Sequence, residues 1–177
     1  GGLYIADEVQ SGFYRTGEQM WGFAYADVVP DIVTLGKPIG DGHPLGAVVT
    51  TPAIAAKFAQ KGSYFNTFGG NPVSAAVGLA VLDVLEREGA QQHVIAAGKV
   101  LEAGLARLAA KHPLVADVRG KGLFWGLEIV RDHATRAPAV EEADRIMNLL
   151  RDDGILVART GAFNNVVKIR PPLVFTP

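Results

Sequence analysis

Asp31-Ile-Val-Thr-Leu-Gly-Lys-Pro-Ile-Gly-Asp-Gly42 carries one lysine out of a short β-branched run into a stretch broken by Gly36, Pro38, Gly40 and Gly42. Neither helix nor strand continues through such a stretch, because proline lacks an amide donor and glycine has no preference for regular backbone. Asp7 stands thirty residues before Lys37, in Ala6-Asp-Glu-Val-Gln10. Thr67 stands thirty residues after it, in Thr67-Phe-Gly-Gly-Asn-Pro72. Working outward, Leu3 to Val9 and Asp31 to Leu35 read as short buried strands running into loops, and Leu45 to Thr51 reads as a third. Pro52 to Gln60 reads as a helix with proline in its first turn. Asn71 is the predicted N-cap, and Pro72 the first residue, of a helix reaching Glu88.

Gly89 interrupts the helical spacing, which resumes from Val94 to Lys111 and stops at His112-Pro113. The texture then changes. Leu114–Arg119, Leu123–Val130, Ile155–Ala158 and Val166–Arg170 read as strands, with a helix over Pro138–Asp152 closed by Gly154. Strands with one intervening helix predict a small α+β unit. The predicted division is residues 1–92 and residues 93–177.

The chain has 177 residues, is 49% hydrophobic and 20% charged, and carries a formal net charge of −1. That composition is ordinary for one or two soluble globular domains with real cores, and the near-neutral charge speaks against nucleic acid or an anionic membrane as partner. The absence of cysteine excludes disulfides, thiolate metal sites and cysteine nucleophiles. No apolar run reaches the roughly 18 residues of a membrane span. The four histidines are scattered without metal-ligand spacing, so no metal site is predicted. Cytoplasmic localisation is the expectation, with organellar targeting left open because residue 1 is glycine and a preceding segment is invisible.

An acid at a strand end, a lysine in a glycine loop and a hydroxyl before a glycine-rich helix start are the groups that pyridoxal phosphate chemistry needs. The acid keeps the pyridine nitrogen protonated, the amine forms a Schiff base, and the hydroxyl and backbone N–H groups hold the phosphate. Each residue also has a plainer reading. Asp7 alone is equally a solvated acid opening a loop. Lys37 alone is a surface lysine in a turn. Thr67 and its glycines alone are a helix-capping turn. What sets Lys37 apart is a predicted buried strand before it and little side-chain bulk around it, since a desolvated lysine gives up its proton more easily. Asp7 and Val9 are expected on one strand face. Gly40-Asp-Gly-His-Pro-Leu-Gly46 and Gly120-Lys-Gly-Leu-Phe-Trp-Gly126 each carry one residue too many for a dinucleotide fingerprint. Trp21, Trp125 and the phenylalanines read as core.

Four segments in order carry a resemblance: Ala6-Asp-Glu-Val-Gln-Ser-Gly-Phe-Tyr-Arg-Thr-Gly17, Pro30-Asp-Ile-Val-Thr-Leu-Gly-Lys37, Pro44-Leu-Gly-Ala-Val48 and Asn66-Thr-Phe-Gly-Gly-Asn-Pro72. Together they resemble the class III aminotransferases, pyridoxal-phosphate enzymes of the aspartate-aminotransferase fold (fold type I). The resemblance implies an α/β chain covering the later part of the large cofactor domain and most of the small C-terminal domain. It implies that Lys37 is the catalytic lysine, carrying pyridoxal 5′-phosphate as an internal aldimine. Asp7 would then pair with the ring nitrogen, Val9 stack on the ring and Gln10 touch the phenolic oxygen. Thr67 would hold the phosphate of the neighbouring subunit's cofactor, in a homodimer with shared active sites. The implied activity moves an amino group from an amine or amino acid to a 2-oxo acid.

Two departures from the family pattern stand out. Tyr14 occupies a position where the family usually has glycine. In Val167-Lys-Ile-Arg-Pro-Pro172, Lys168 stands where many members place the arginine that clamps a carboxylate, with Arg170 two residues on. Lysine does not reproduce a bidentate fork. Lys168 and Arg170 are therefore expected to bind an anionic end of the substrate. This ending and Gly36-Lys-Pro-Ile-Gly-Asp-Gly-His-Pro44 look most like the branch of alanine–glyoxylate-type aminotransferases and ethanolamine-phosphate phospho-lyases. A phospho-lyase acting on an amino-phosphate is thus the second reading. A third is a folding or dimerisation module that is not catalytic on its own.

Overall fold

The computed structural model describes residues 2–176, which form two compact units. One comprises residues up to Arg15 with Gln19–Gln91, the other Thr16–Glu18 with the chain from Gln92 onward.

The first unit is built on three short strands, β1 (Ile5–Asp7), β2 (Ile32–Leu35) and β3 (Ala47–Thr50), in the order β1-β2-β3. β1 and β2 are parallel, with Asp7 opposite Thr34, and β2 and β3 are antiparallel, with Leu35 opposite Ala47. The β1–β2 crossover contains turns and a single 3₁₀ turn, Gly22–Ala26, where an α-helix is the usual connection. Helix α1 (Pro52–Lys61) is capped by the Thr51 hydroxyl, which accepts from the Ile54 amide. Helix α2 (Pro72–Arg87) starts as predicted: the Asn71 side chain accepts from the Ser74 amide at 2.9 Å and Pro72 fills the first position.

The strands of this unit are less buried than predicted. Tyr4 and Ile5 are exposed, β2 is half-buried along its length, and Phe58, Phe65 and Phe68 face outward instead of packing in a core. β-branched runs fix a strand, whereas burial depends on what packs against it. Phe13, by contrast, is fully buried and meets Trp21 edge-to-face at 5.1 Å.

The second unit contains α3 (Ala90–Lys111), β4 (Val115–Lys121), β5 (Phe124–Asp132), β6 (Ala137–Pro138), α4 (Val140–Asp152), β7 (Ala158–Thr160) and β8 (Val166–Ile169). Its sheet runs β4-β5-β8-β7, antiparallel throughout, with β6 pairing the end of β5. Alternate residues Trp125, Leu127 and Ile129 of β5 point inward and form a core with Leu105, Ala143 and Val167. At Gly98 of α3 a Cβ would lie 2.8 Å from the Gly122 backbone, so the helix approaches the β4–β5 turn as only glycine allows.

Several predicted boundaries differ: β1 is shorter than Leu3–Val9, α3 begins at Ala90 rather than Val94, and two further differences have a local cause. Residues 155–157, expected as the start of a strand, are irregular and β7 begins only at Ala158: Gly154 takes φ +81° and the Ile155 amide closes the end of α4 by donating to the Leu150 carbonyl at 2.7 Å. Pro138, expected to open the helix, lies in β6, and the Ala139 amide donates to the Ile129 carbonyl.

Candidate functional site

The parallel register of β1 and β2 brings Asp7 and Lys37 to the same end of neighbouring strands, Lys37 following β2 by two residues. In open α/β sheets that carboxyl end is where ligands bind. The Asp7 carboxylate is oriented by two donors, the Val9 amide at 3.1 Å and the Thr34 hydroxyl at 3.3 Å, both on Oδ1. The Glu8 amide extends the strand pairing by donating to the Thr34 carbonyl. Val9 itself has left the strand and lies in a turn, so the expected face sharing with Asp7 by strand alternation is corrected. Its methyl groups lie against Gly36, where an added Cβ would touch them at 3.5 Å. Gln10 follows in the same turn and is exposed.

Lys37 opens a 3₁₀ turn, Lys37–Ile39. Its backbone is left-handed, φ +40°, a region that β-carbon sterics disfavour and that clusters at functional sites. Within this chain Lys37 is exposed and β2 before it is half-buried rather than fully buried. A glycine is obligatory at 40, because a Cβ there would overlap the His43 carbonyl. Beyond that turn the His43 Nε2 and the buried Ser74 Oγ are 2.8 Å apart. Ser74 belongs to the first turn of α2, so the lysine loop is tied to the helix whose N-terminus follows Thr67. Thr67 begins the exposed turn Thr67–Gly70, in which Gly70 takes φ +69°. The Asn71 side chain braces that turn by donating to the Phe68 carbonyl at 2.7 Å.

Lys168 and Arg170 belong to the second unit. Lys168 is half-buried in β8, opposite Gly126 on one side and Ala158 on the other. Gly126 in turn faces Arg119, whose guanidinium is engaged by Asp117 at 2.6 Å and Glu128 at 2.7 Å. Those hydrogen bonds, Asp117 first, hold the Arg119 pKa above its ordinary value. Arg170 lies just beyond β8 with its guanidinium 6.0 Å from the Phe124 ring centroid. Among the described residues Lys168 makes no ion pair.

The first unit therefore offers a carboxylate with fixed orientation, a lysine at the end of the adjacent strand, a backbone at Gly36 kept free of side chain, and a glycine turn leading into a capped helix. That donor set fits pyridoxal phosphate. The Aminotransferase class-III family matches residues 1–177. The chain belongs to the class III aminotransferases. Their cofactor is pyridoxal 5′-phosphate, and their fold is the α/β aspartate-aminotransferase architecture. The chain is 53% identical, over 99% of its length, to alanine–glyoxylate aminotransferase 2 homolog 2, mitochondrial, of Arabidopsis thaliana. It is 44% identical to ethanolamine-phosphate phospho-lyase homolog 1 of Caenorhabditis elegans, again over 99%. It spans 36% and 38% of the lengths of those two relatives. A phospholyase from Arthrobacter, solved in complex with phosphoethanolamine, superposes with a TM-score of 0.93 at 45% identity, covering 99% of this chain and 42% of that one. A Bacillus anthracis aminotransferase gives 0.87 at 37% identity, covering 98% of this chain and 41% of that one.

Two residues of this class III segment escape the motif reading. Glu8 is buried at 2% exposure with three donors on its carboxylate, and His43 reaches Ser74 across thirty-one residues. The first had a signal. The same period of two that turns Asp7 outward turns Ala6 and Glu8 inward. The second had none, since a contact between a loop histidine and a distant helix serine leaves no local pattern.

Proposed function

We propose that the protein containing this chain is a pyridoxal-phosphate-dependent aminotransferase moving an amino group from an amine or amino acid to a 2-oxo acid. The observation that carries the reading is the placement of Asp7 and Lys37 at the same end of adjacent parallel strands. The cofactor, when bound, supplies an electron sink for chemistry at the substrate's amine-bearing carbon. Lys37 Nζ would hold the cofactor and would carry a proton to and from that carbon. Asp7 keeps the ring nitrogen protonated, with the Val9 amide and the Thr34 hydroxyl holding its carboxylate in place. Val9 and Gln10 would be the residues holding the face and the phenolic edge of the cofactor ring. Thr67 serves the phosphate in the partner subunit of a homodimer with shared sites. Lys168 and Arg170 bind an anionic end of the substrate. The first unit corresponds to the later part of the large cofactor domain and the second to most of the small C-terminal domain. Neither nucleic acid nor membrane is a partner. We place the protein in the cytoplasm or an organelle matrix, the latter because the Arabidopsis relative is named mitochondrial.

Borohydride reduction of the full-length protein followed by peptide mapping is expected to find the pyridoxyl group on Lys37. A label on any other lysine overturns the assignment. A second reading, phospho-lysis of an amino-phosphate, is favoured by the likeness to the Arthrobacter phospholyase and by lysine at position 168. Incubation with phosphoethanolamine separates the two. Released inorganic phosphate without a transamination product supports the lyase, and a new amino acid supports the transaminase.

A further inference from the structure

Glu8 sits between two residues of the proposed cofactor site, yet it faces the opposite way and is 2% exposed. Its polar atoms are all engaged. The amide donates to Thr34 of β2 at 3.0 Å, and the carbonyl accepts from the Gly12 amide at 3.2 Å. Oε2 accepts from the Ser11 hydroxyl at 2.7 Å and the Gly22 amide at 2.8 Å, and Oε1 accepts from the Phe23 amide at 2.8 Å. One carboxylate thus draws together two points of the β1–β2 crossover, the turn after β1 through Ser11 and the 3₁₀ turn Gly22–Ala26 through its first two amides.

The packing around it leaves little slack. A Cβ at Gly12 would sit 2.9 Å from the Trp21 ring, and one at Gly22 would sit 2.8 Å from Ser11 Cβ. A buried carboxylate is costly unless fully hydrogen-bonded, and once satisfied it enforces one geometry. That geometry is passed on through Val9, the next residue. The Val9 amide holds Asp7 Oδ1, and its methyl groups rest against Gly36, immediately before Lys37.

We propose that Glu8 is a positioning residue: its buried carboxylate fixes the Val9 turn, and through Val9 it sets both the Asp7 carboxylate and the backbone that presents Lys37. The proposal rests on the reading of Lys37 as the cofactor-binding lysine. Glu8→Gln keeps the shape and turns one acceptor into a donor facing N–H or O–H groups.

The test uses the full-length protein. Lys37 labelling is checked first in wild type, and absence of label there overturns the Lys37 reading and, with it, the proposal that rests on it. With Lys37 labelled, Glu8→Gln is expected to lower kcat about tenfold or more with little change in KM, as small misplacements of reacting groups do. It is also expected to shift the pH midpoint of the lysine-bound cofactor's visible absorption by about half a unit or more. In the cofactor-free protein, amide exchange at Val9, Gly22 and Phe23 is expected to speed up. Asn165→Ala, which removes a buried hydrogen bond to the Ile129 carbonyl in the other unit, should lower Tm and leave that midpoint unmoved. Ser11→Ala removes one of the three donors and should act in the same direction as Glu8→Gln with smaller size, so the question stays answerable if Glu8→Gln does not fold. A lower Tm with unchanged midpoint and kcat, in Glu8→Gln or, failing that, in Ser11→Ala, overturns the proposal and leaves Glu8 a structural anchor.

Discussion

In the second unit, Trp125, Leu127, Ile129 and Val167 line one face of an antiparallel sheet and none is more than 6% exposed. In the first unit, Ile5 is 56% exposed and β2 has no fully buried residue, yet the loops at its strand ends are tightly defined. Apolar burial orders the second sheet, at roughly 25 cal/mol per Å² of covered surface. The loops of the first are ordered by other contacts: the Glu8 carboxylate with three donors, the His43–Ser74 pair, the Asn71 cap, and glycines at 12, 22 and 40 that let backbone close on backbone or side chain. Polar anchoring of this kind suits a site that must leave room for a ligand, because it fixes loops without filling the space beside them.

The contrast can be broken at its apolar end first. Trp125→Ala should cost about 3–5 kcal/mol, the range for large core truncations, measured by denaturant unfolding of the full-length protein. The borohydride label on Lys37 should persist under folding conditions. Loss of that label with the fold intact would mean that the two kinds of order are not separable.

At the polar end, Asp7→Asn should leave the cofactor bound and reduce turnover at least about a hundredfold, the scale of losing one electrostatic stabiliser. Near-wild-type turnover would remove Asp7 from the site. Lys168→Ala tests whether the outer face of the second sheet does more than cover its core. KM for the preferred anionic substrate should rise roughly tenfold, as loss of a charge-assisted bond of about 1.5–3 kcal/mol allows, with little change for neutral amines. An unchanged KM would make Lys168 a solvated strand residue.

The smallest effect concerns Tyr14. It takes φ +61°, a left-handed value at which the family's usual glycine is free of strain. Tyr14→Gly should therefore be more stable than Tyr14→Ala by about 1 kcal/mol in chemical denaturation. Equal stabilities would mean that the turn relaxes when the ring is removed.

The parts legible in the sequence share a local cause. Asn71-Pro72 announced a helix start through capping chemistry, Gly154 announced a helix end, and the motif series identified the family and its fold. The alignment of Asp7 with Lys37 followed from two short strands ending in loops. The parts that were not legible depend on partners distant in the chain. Burial of β1 and β2 could not be read from their own residues, because an apolar run does not say what covers it. The same holds for Phe65 and Phe68, which read as core and are exposed. Apolar alternation alone carries the strand through Val9, whereas the chain turns there as the Glu8 carbonyl accepts from the Gly12 amide. Left-handed backbone at Phe13, Tyr14 and Lys37 carries no compositional mark, since none of these residue types prefers it.

The conformation of Lys37 bears on how this position can vary over time. Glycine would hold φ +40° without the steric penalty, roughly 1–2 kcal/mol, that a β-carbon incurs there, offset in part by the entropy that glycine adds to the unfolded chain. On the proposed role of Lys37 as the cofactor lysine, backbone sterics and the need for an amine therefore pull position 37 toward different residues, so the strain at this one residue is what the fold gives up to present a reactive group.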